Sequence, residues 1–252
     1  MSSRARPLIL AYNAWVKLVF NASQKMLIQS PAINALLKKE ELHLCPVVNF
    51  SKSDILSRAE KFDAKLKSVL RKIEADKVDV VAFSMAGLDV RVALQDNKEL
   101  AGRVENFVTV GTPQRGTLLS RVYANNHLDS SHLEKSNLCT GVHYTDLMET
   151  SDEAMDRLND YFEPHSGTTY HTIAGDKAFQ DQSECLRRVS KQLLESKANE
   201  QSVFNDGLFF DEEVVGTGHV LKLNADHLDL SPFGINRGQD IYGHVFKYLN
   251  SY

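Results

Sequence analysis

Short runs of apolar or β-branched residues recur along the chain, each followed by a stretch whose apolar residues return every third or fourth position. Pro7-Leu-Ile-Leu-Ala11 predicts a first buried strand. Ser30-Pro31 opens a helical pattern through Lys39, with serine at the N-cap and proline at the first helical position. Leu44-Cys-Pro-Val-Val48 predicts a second strand, and Pro46 puts it at a sheet edge or a strand end. From Ser53 to Ile73, Ile55, Leu56, Ala59, Phe62, Leu66, Val69, Leu70 and Ile73 mark one face of a long amphipathic helix, with lysines and arginines outside. Val78-Asp-Val-Val-Ala-Phe83 predicts a buried strand that breaks at Ser84 into the helix-compatible Met85–Leu94. Val104–Val110 is another strand, closed by the turn 111–117. The alternation predicts an α/β fold with a mostly parallel, doubly wound sheet.

Residues 117–168 break the rhythm with a polar stretch rich in Ser, Asn, Asp and His, including a short helical piece at Ala154–Tyr161. We read them as a lid- or cap-like insertion in a single domain spanning 1–252, and expect Leu118, Leu119 and Leu128, with the loop around Trp15, to wall an apolar site. Thr168–Gly175 returns to strand, Ser183–Ala198 to helix, Gly218–Leu223 to a short strand and Ile241–Leu249 to a closing helix.

At 42% hydrophobic residues, the 252-residue chain can bury a full core. A net charge of −4 gives no electrostatic reason to expect nucleic acid. No apolar run approaches the roughly 20 residues that span a bilayer, which leaves transient contact with a lipid surface. Cys45, Cys139 and Cys185 are scattered and odd in number, the pattern of reduced thiols in an intracellular compartment rather than of a zinc site or disulfide framework. Residues 1–39 lack Asp and Glu but carry six basic residues. That bias resembles a mitochondrial transit segment, against the reading, favoured here, that Pro7–Ala11 is a core strand. Location is therefore expected to be cytoplasmic or mitochondrial.

A strand that turns sharply into a helix at a serine lifts the hydroxyl above the sheet and points helix N-terminal N–H groups at any negative charge formed there. A serine nucleophile then needs a base, and the base an orienting acid. Downstream of Ser84, the turn Asn205-Asp206-Gly207 can present a carboxylate, and Asp226-His227-Leu228-Asp229 follows the predicted strand Gly218–Leu223. Ser84, Asp206 and His227 thus fall in the chain order Ser, acid, His. His219 and His244 compete for the base, but fall inside a predicted strand and a predicted helix.

These motifs resemble those of the triacylglycerol lipase family of the α/β-hydrolase superfamily, the bacterial lipases and their eukaryotic intracellular relatives. The resemblance rests on the elbow Ala82-Phe83-Ser84-Met85-Ala86, the turn Gly111-Thr-Pro-Gln-Arg-Gly116, Asn205-Asp206-Gly207 and His227-Leu228-Asp229. It implies a serine carboxylic-ester hydrolase acting on acylglycerols or other ester lipids, with Ser84 as nucleophile, His227 as general base and Asp206 as its orienting acid. It also implies an oxyanion hole made by the backbone N–H groups of Met85 and Ala14. Some lipases of the family use the aspartate equivalent to Asp229 for calcium, but Phe233 stands where another ligand is needed, so no metal and no cofactor are expected. The departures are Tyr12-Asn13 in place of His-Gly in the oxyanion loop, where Asn13 would have to adopt positive φ, and alanine for both elbow glycines. They leave open a hydrolase-fold protein that only binds lipid or a partner. An acyltransferase or thioesterase would use the same triad.

Overall fold

The computed structural model describes residues 6–13, 31–38, 42–47, 54–124, 149–196, 205–214, 216–232 and 241–249. Strands β1 (Leu8–Asn13) and β2 (Leu42–Val47) flank α1 (Pro31–Lys38) in sequence. Then follow α2 (Ile55–Ile73), β3 (Val78–Phe83), α3 (Ala86–Asp96), α4 (Lys98–Gly102) and β4 (Val104–Val110). Helices α5 (Leu118–Ala124) and α6 (Asp152–Tyr161) precede β5 (Thr169–Gly175) and α7 (Glu184–Ser196). The chain continues through α8 (Asp211–Val214), β6 (His219–Leu223), α9 (His227–Leu230) and α10 (Ile241–Leu249).

The six strands form one sheet in the order β2-β1-β3-β4-β5-β6, every pair parallel. Proline-containing β2 lies at one end of that order, where its missing N–H costs no ladder bond on the open side. β1 pairs with both β2 and β3, so Pro7–Ala11 contributes to the centre of the sheet.

Alternation along each strand divides the core in two. Ile9, Ala11, Val78, Val80 and Ala82 face a cluster with Phe62, Leu66, Val90 and Leu94 from α2 and α3. Leu8, Leu10, Tyr12, Val81 and Phe83 face the opposite cluster with Ile33 of α1 and Ile241, Tyr242 and Val245 of α10. With both faces covered, β3 is buried at every position.

Helix α2 buries Ala59, Phe62, Leu66 and Leu70, the stripe its spacing predicts. One basic residue departs from the expectation that its cations lie outside. Arg58 is buried, its Nε 2.8 Å from Asp89 of α3 and its Nη2 2.6 Å from Glu149. A guanidinium removed from water is tolerated here because carboxylates meet it on two sides.

Of the polar insertion, 117–124 and 149–168 are described. Leu119 and Val122 are buried against Leu186, Val189, Leu208 and Phe210, with Leu118 beside them. Leu119 is thus part of the core, with half-buried Leu118 packed beside it, because the helix lies against α7 and the 205–210 turn. Leu128 and Trp15 lie outside the described residues. No helix among the described residues is long and apolar enough to cross a membrane.

Candidate active site

β3 ends in a tight turn in which Ser84 adopts a left-handed conformation at φ 55°. That geometry costs a non-glycine residue about 1 kcal/mol and persists only where its surroundings fix it. Here Ser84 N–H donates to Val110 O at 2.8 Å, while Thr112 Oγ1 and Gly87 N–H donate to Ser84 O at 2.8 and 2.9 Å. Ala82 and Ala86 are both fully buried, so the extra methyls fit the strand–helix contact. The glycine that the turn cannot replace is Gly87, where a Cβ would stand 2.2 Å from Thr112 Oγ1.

Ser84, Asp206 and His227 meet at the C-terminal edge of the sheet. His227 Nε2 lies 3.0 Å from Ser84 Oγ, and Nδ1 lies 2.7 Å from Asp206 Oδ2. An ionised carboxylate can only accept, so Nδ1 carries the hydrogen and the Nε2 lone pair faces the serine hydroxyl. Asp206 is fully buried, and its second oxygen accepts from Leu208 N–H at 3.0 Å and Phe209 N–H at 2.8 Å. Phe83 lies tilted across the imidazole at 5.0 Å between centroids, and Phe209 meets it edge-on at 5.1 Å. The competing histidines are elsewhere: His219 stacks on His171 at 5.4 Å, and His244 is exposed on α10.

The loops carrying the acid and the histidine are tied to each other by His227 N–H donating to Asp206 O at 2.6 Å. Buried Asn205 closes the acid turn, its Oδ1 accepting from Gly207 N–H, Gln182 Nε2 and Ser190 Oγ at 2.8, 2.8 and 3.1 Å. Asp226 caps α9 by accepting from Leu228 and Asp229 N–H, and Asp229 returns a bond to Asp226 N–H at 3.0 Å. The Lys177 ammonium pairs with Asp229 and lies 3.6 Å from Asp226. Asp229 is thus engaged by a cation of the chain itself, and no cluster of metal-ligating side chains occurs among the described residues.

Met85 is the N-cap of α3, and its N–H has no hydrogen-bond acceptor among the described residues. It is one of the orphan donors that every helix N-terminus carries. Ala14 lies outside the described residues. The register pairs Ala11 with Ala82, which sets Asn13 level with Ser84, two residues further along each chain. Asn13 is still strand, in register with Val47. Among the described residues the non-glycine positions with positive φ are Glu74 and Ser84, so the left-handed turn expected at Asn13 is not there. The reason is that β1 runs two residues past Ala11, with Tyr12 and Asn13 in register with Pro46 and Val47 of β2.

The same architecture occurs in solved structures. The mature lipase BlEst2 of Bacillus licheniformis superposes with a TM-score of 0.72, covering 98% of this chain and 93% of that one at 19% identity. Lipase 1 of Pelosinus fermentans gives 0.65 over 97% and 98% at 13% identity. EstA of Clostridium botulinum gives 0.61 over 99% and 87% at 12% identity. The chain has the fold of the bacterial lipases and esterases. No family model matches it, and no curated protein matches it in sequence. Within this lipase fold, sequence reasoning missed Gln182, Ser190 and Lys177, which hold the acid and histidine loops, and named Asn205 only as a turn residue. The neighbouring side chains of Asn205 in Asn-Asp-Gly and of Asp226 in Asp-His-Leu-Asp were the only signals within reach.

Proposed function

We propose that the protein is a serine carboxylic-ester hydrolase, acting on acylglycerols or other lipid esters through Ser84, His227 and Asp206. The observation that carries this reading is the continuous chain of hydrogen bonds from Ser84 Oγ through the imidazole to a fully buried Asp206. In the proposed reaction Ser84 Oγ attacks the ester carbonyl carbon while its proton passes to His227 Nε2. Asp206, accepting from Nδ1–H, fixes the tautomer and offsets the positive charge that the imidazole gains. Met85 N–H is the donor we assign to the developing oxyanion, where one such bond is worth about 10²–10³ in turnover. Collapse expels the alkoxide, which takes the proton from His227 and leaves an acyl group on Ser84. Water, deprotonated by the same histidine, then attacks the acyl carbon, and His227 gives the proton to Ser84 Oγ as the ester bond breaks and the acid leaves. The lipid-ester substrate class is supported by the fold shared with the two lipases named above, and by the apolar ring faces of Phe83 and Phe209 around His227.

The test is labelling of the native protein with a fluorophosphonate, with the modified residue mapped, followed by p-nitrophenyl esters of graded chain length. We expect the label on Ser84 and turnover that Ser84→Ala abolishes. Full hydrolysis by a folded Ser84→Ala protein would overturn the reading.

A further inference from the structure

Seven residues past Asp206, outside the triad, stands a second buried carboxylate. Glu213 lies in the first turns of α8, and one of its oxygens accepts from Phe210 N–H at 2.8 Å, closing the turn that begins at Asn205. Its other oxygen accepts from Leu118 N–H, the first residue of α5. Its backbone carbonyl accepts from Arg115 N–H at 3.0 Å. The 205–210 turn and the start of α5 are separated by nearly a hundred residues of sequence, yet they share this one side chain. The same turn holds Asp206, whose carboxylate accepts from Leu208 and Phe209, the two residues before Phe210.

We propose that Glu213 is a positioning residue for the Asp206–His227 pair, holding the turn that presents Asp206 against the first turn of α5 through the two oxygens of one carboxylate. The inference rests on Asp206 and His227 acting as described under Proposed function. The two N–H donors approach different oxygens of the carboxylate, and protonation turns one of these into a hydroxyl while glutamine replaces one with an NH₂ group, so either change weakens or removes one of the two bonds. Loss of one acceptor leaves a buried N–H facing a hydroxyl or an NH₂ group, and the turn must shift to relieve it.

This tie changes state in the neutral range. Burial pushes the Glu213 carboxyl up to about 7, against the pull of the Leu118 and Phe210 N–H groups and of Arg121. The other charges around it are accounted for. On its own helix, Glu212 raises it further, and Asp211 is paired with Lys222. From α5, Arg121 is shared with Asp152 at 3.0 Å. Above the transition the carboxylate holds both elements, and below it one tie is released. Turnover therefore depends on Glu213 ionisation in addition to whatever the imidazole itself requires.

The experiment measures kcat of the wild type and of Glu213→Gln from pH 5.5 to 9, with a soluble short-chain ester. Taking the ratio cancels every pH dependence that both proteins share. We expect a ratio on the order of ten above pH 8, falling to about one below pH 6, where the protonated glutamate and the glutamine are equivalent. KM should change little. In parallel, the amide resonances of Leu118, Phe210, Leu208 and Phe209 in the wild-type protein should titrate together near pH 7. A ratio that stays constant with pH, or Phe210 and Leu118 amides that do not titrate, overturns the proposal. If Glu213→Gln does not fold, the wild-type amide titration decides alone. Failure of the underlying reading looks different, because hydrolysis would then survive Ser84→Ala whatever Glu213 does.

Discussion

Around Ser84 the chain is fixed by close approach, whereas around Asp206 and His227 it is fixed by hydrogen bonds. The elbow has apolar β3 behind it and Gly87 pressed on Thr112, with no room for a Cβ. The acid and histidine loops have little regular structure, and their positions follow from Asn205, Asp226, Lys177 and backbone N–H groups satisfied by carboxylates. Steric fixation resists deformation over tenths of an ångström because packed interiors hardly compress. Polar fixation is directional but cooperative, and removing one partner exposes the others unpaired. The nucleophile side should therefore respond to volume, and the acid–base side to the loss of single acceptors.

The largest effects are expected at the three residues proposed to react. Ser84→Ala and His227→Ala should each lower kcat on the order of 10⁶-fold, and Asp206→Asn about 10⁴-fold, with thermal unfolding still cooperative. Steady-state hydrolysis beside circular dichroism checks this. A folded Asp206→Asn enzyme with more than a tenth of wild-type turnover would remove the acid from the polar half of the comparison.

Next in size is a volume test of the elbow. Gly87→Ala should cost about 1–3 kcal/mol by overpacking, with loss of turnover from a displaced Ser84. Adding Thr112→Ala removes the two atoms closest to the new methyl, Oγ1 at 2.2 Å and Cγ2 at 2.8 Å. The pair should recover part of the lost stability in chemical denaturation. An additive double variant would show that the elbow is not held by that contact.

On the polar side, Asn205→Ala removes the acceptor shared by Gly207, Gln182 and Ser190, and should cost about 1–3 kcal/mol. We expect KM to stay constant while kcat falls, because Asn205 shapes the turn without touching substrate. A change in KM alone would contradict that.

The smallest effect is a pH dependence remote from the site. Burial and the neighbouring His219 push His171 down to about 4, and its Nε2 contacts Asn106 Oδ1 at 3.1 Å. A histidine with a depressed folded pKa binds fewer protons in the native state than in the unfolded one. Its contribution to stability is thus present at neutral pH and lost as pH falls from about 6.5 towards 4. His171→Gln should flatten the fall in Tm over that window and leave activity at pH 8 unchanged. An identical pH slope in the variant would show that other groups carry the acid sensitivity.

The steric half of the site was the half legible in the sequence. Short β-rich runs followed by a serine and a helical pattern carried the signal, and Val78–Phe83 and Val104–Val110 are strands over the residues their patterns predict. The polar half was legible only where a motif happened to carry it, as in Asn205-Asp206-Gly207 and His227-Leu228-Asp229. Glu213 sits in the acidic run Asp211-Glu-Glu213, for which the sequence offered no reading, and Arg58 reads as one more outward cation on α2. Both are buried because a partner distant in sequence meets them, and periodicity holds no information about such partners. The strand conformation of Asn13 likewise rests on a partner distant in sequence, Val47 of β2.

Because every strand pair in the sheet is parallel, none can form by a simple hairpin, and each pairing must close a long loop of chain first. Ser84 and His227 are 143 residues apart, and β4, β5 and β6 intervene. Such topologies fold slowly, since the entropy of closure is spent before the distant contacts repay it. The elbow can form early, from β3, α3 and β4 alone. His227 reaches it only once β6 has been laid against β5. Recovery of turnover during refolding should then lag behind recovery of helical signal, so that catalysis marks the completion of the sheet.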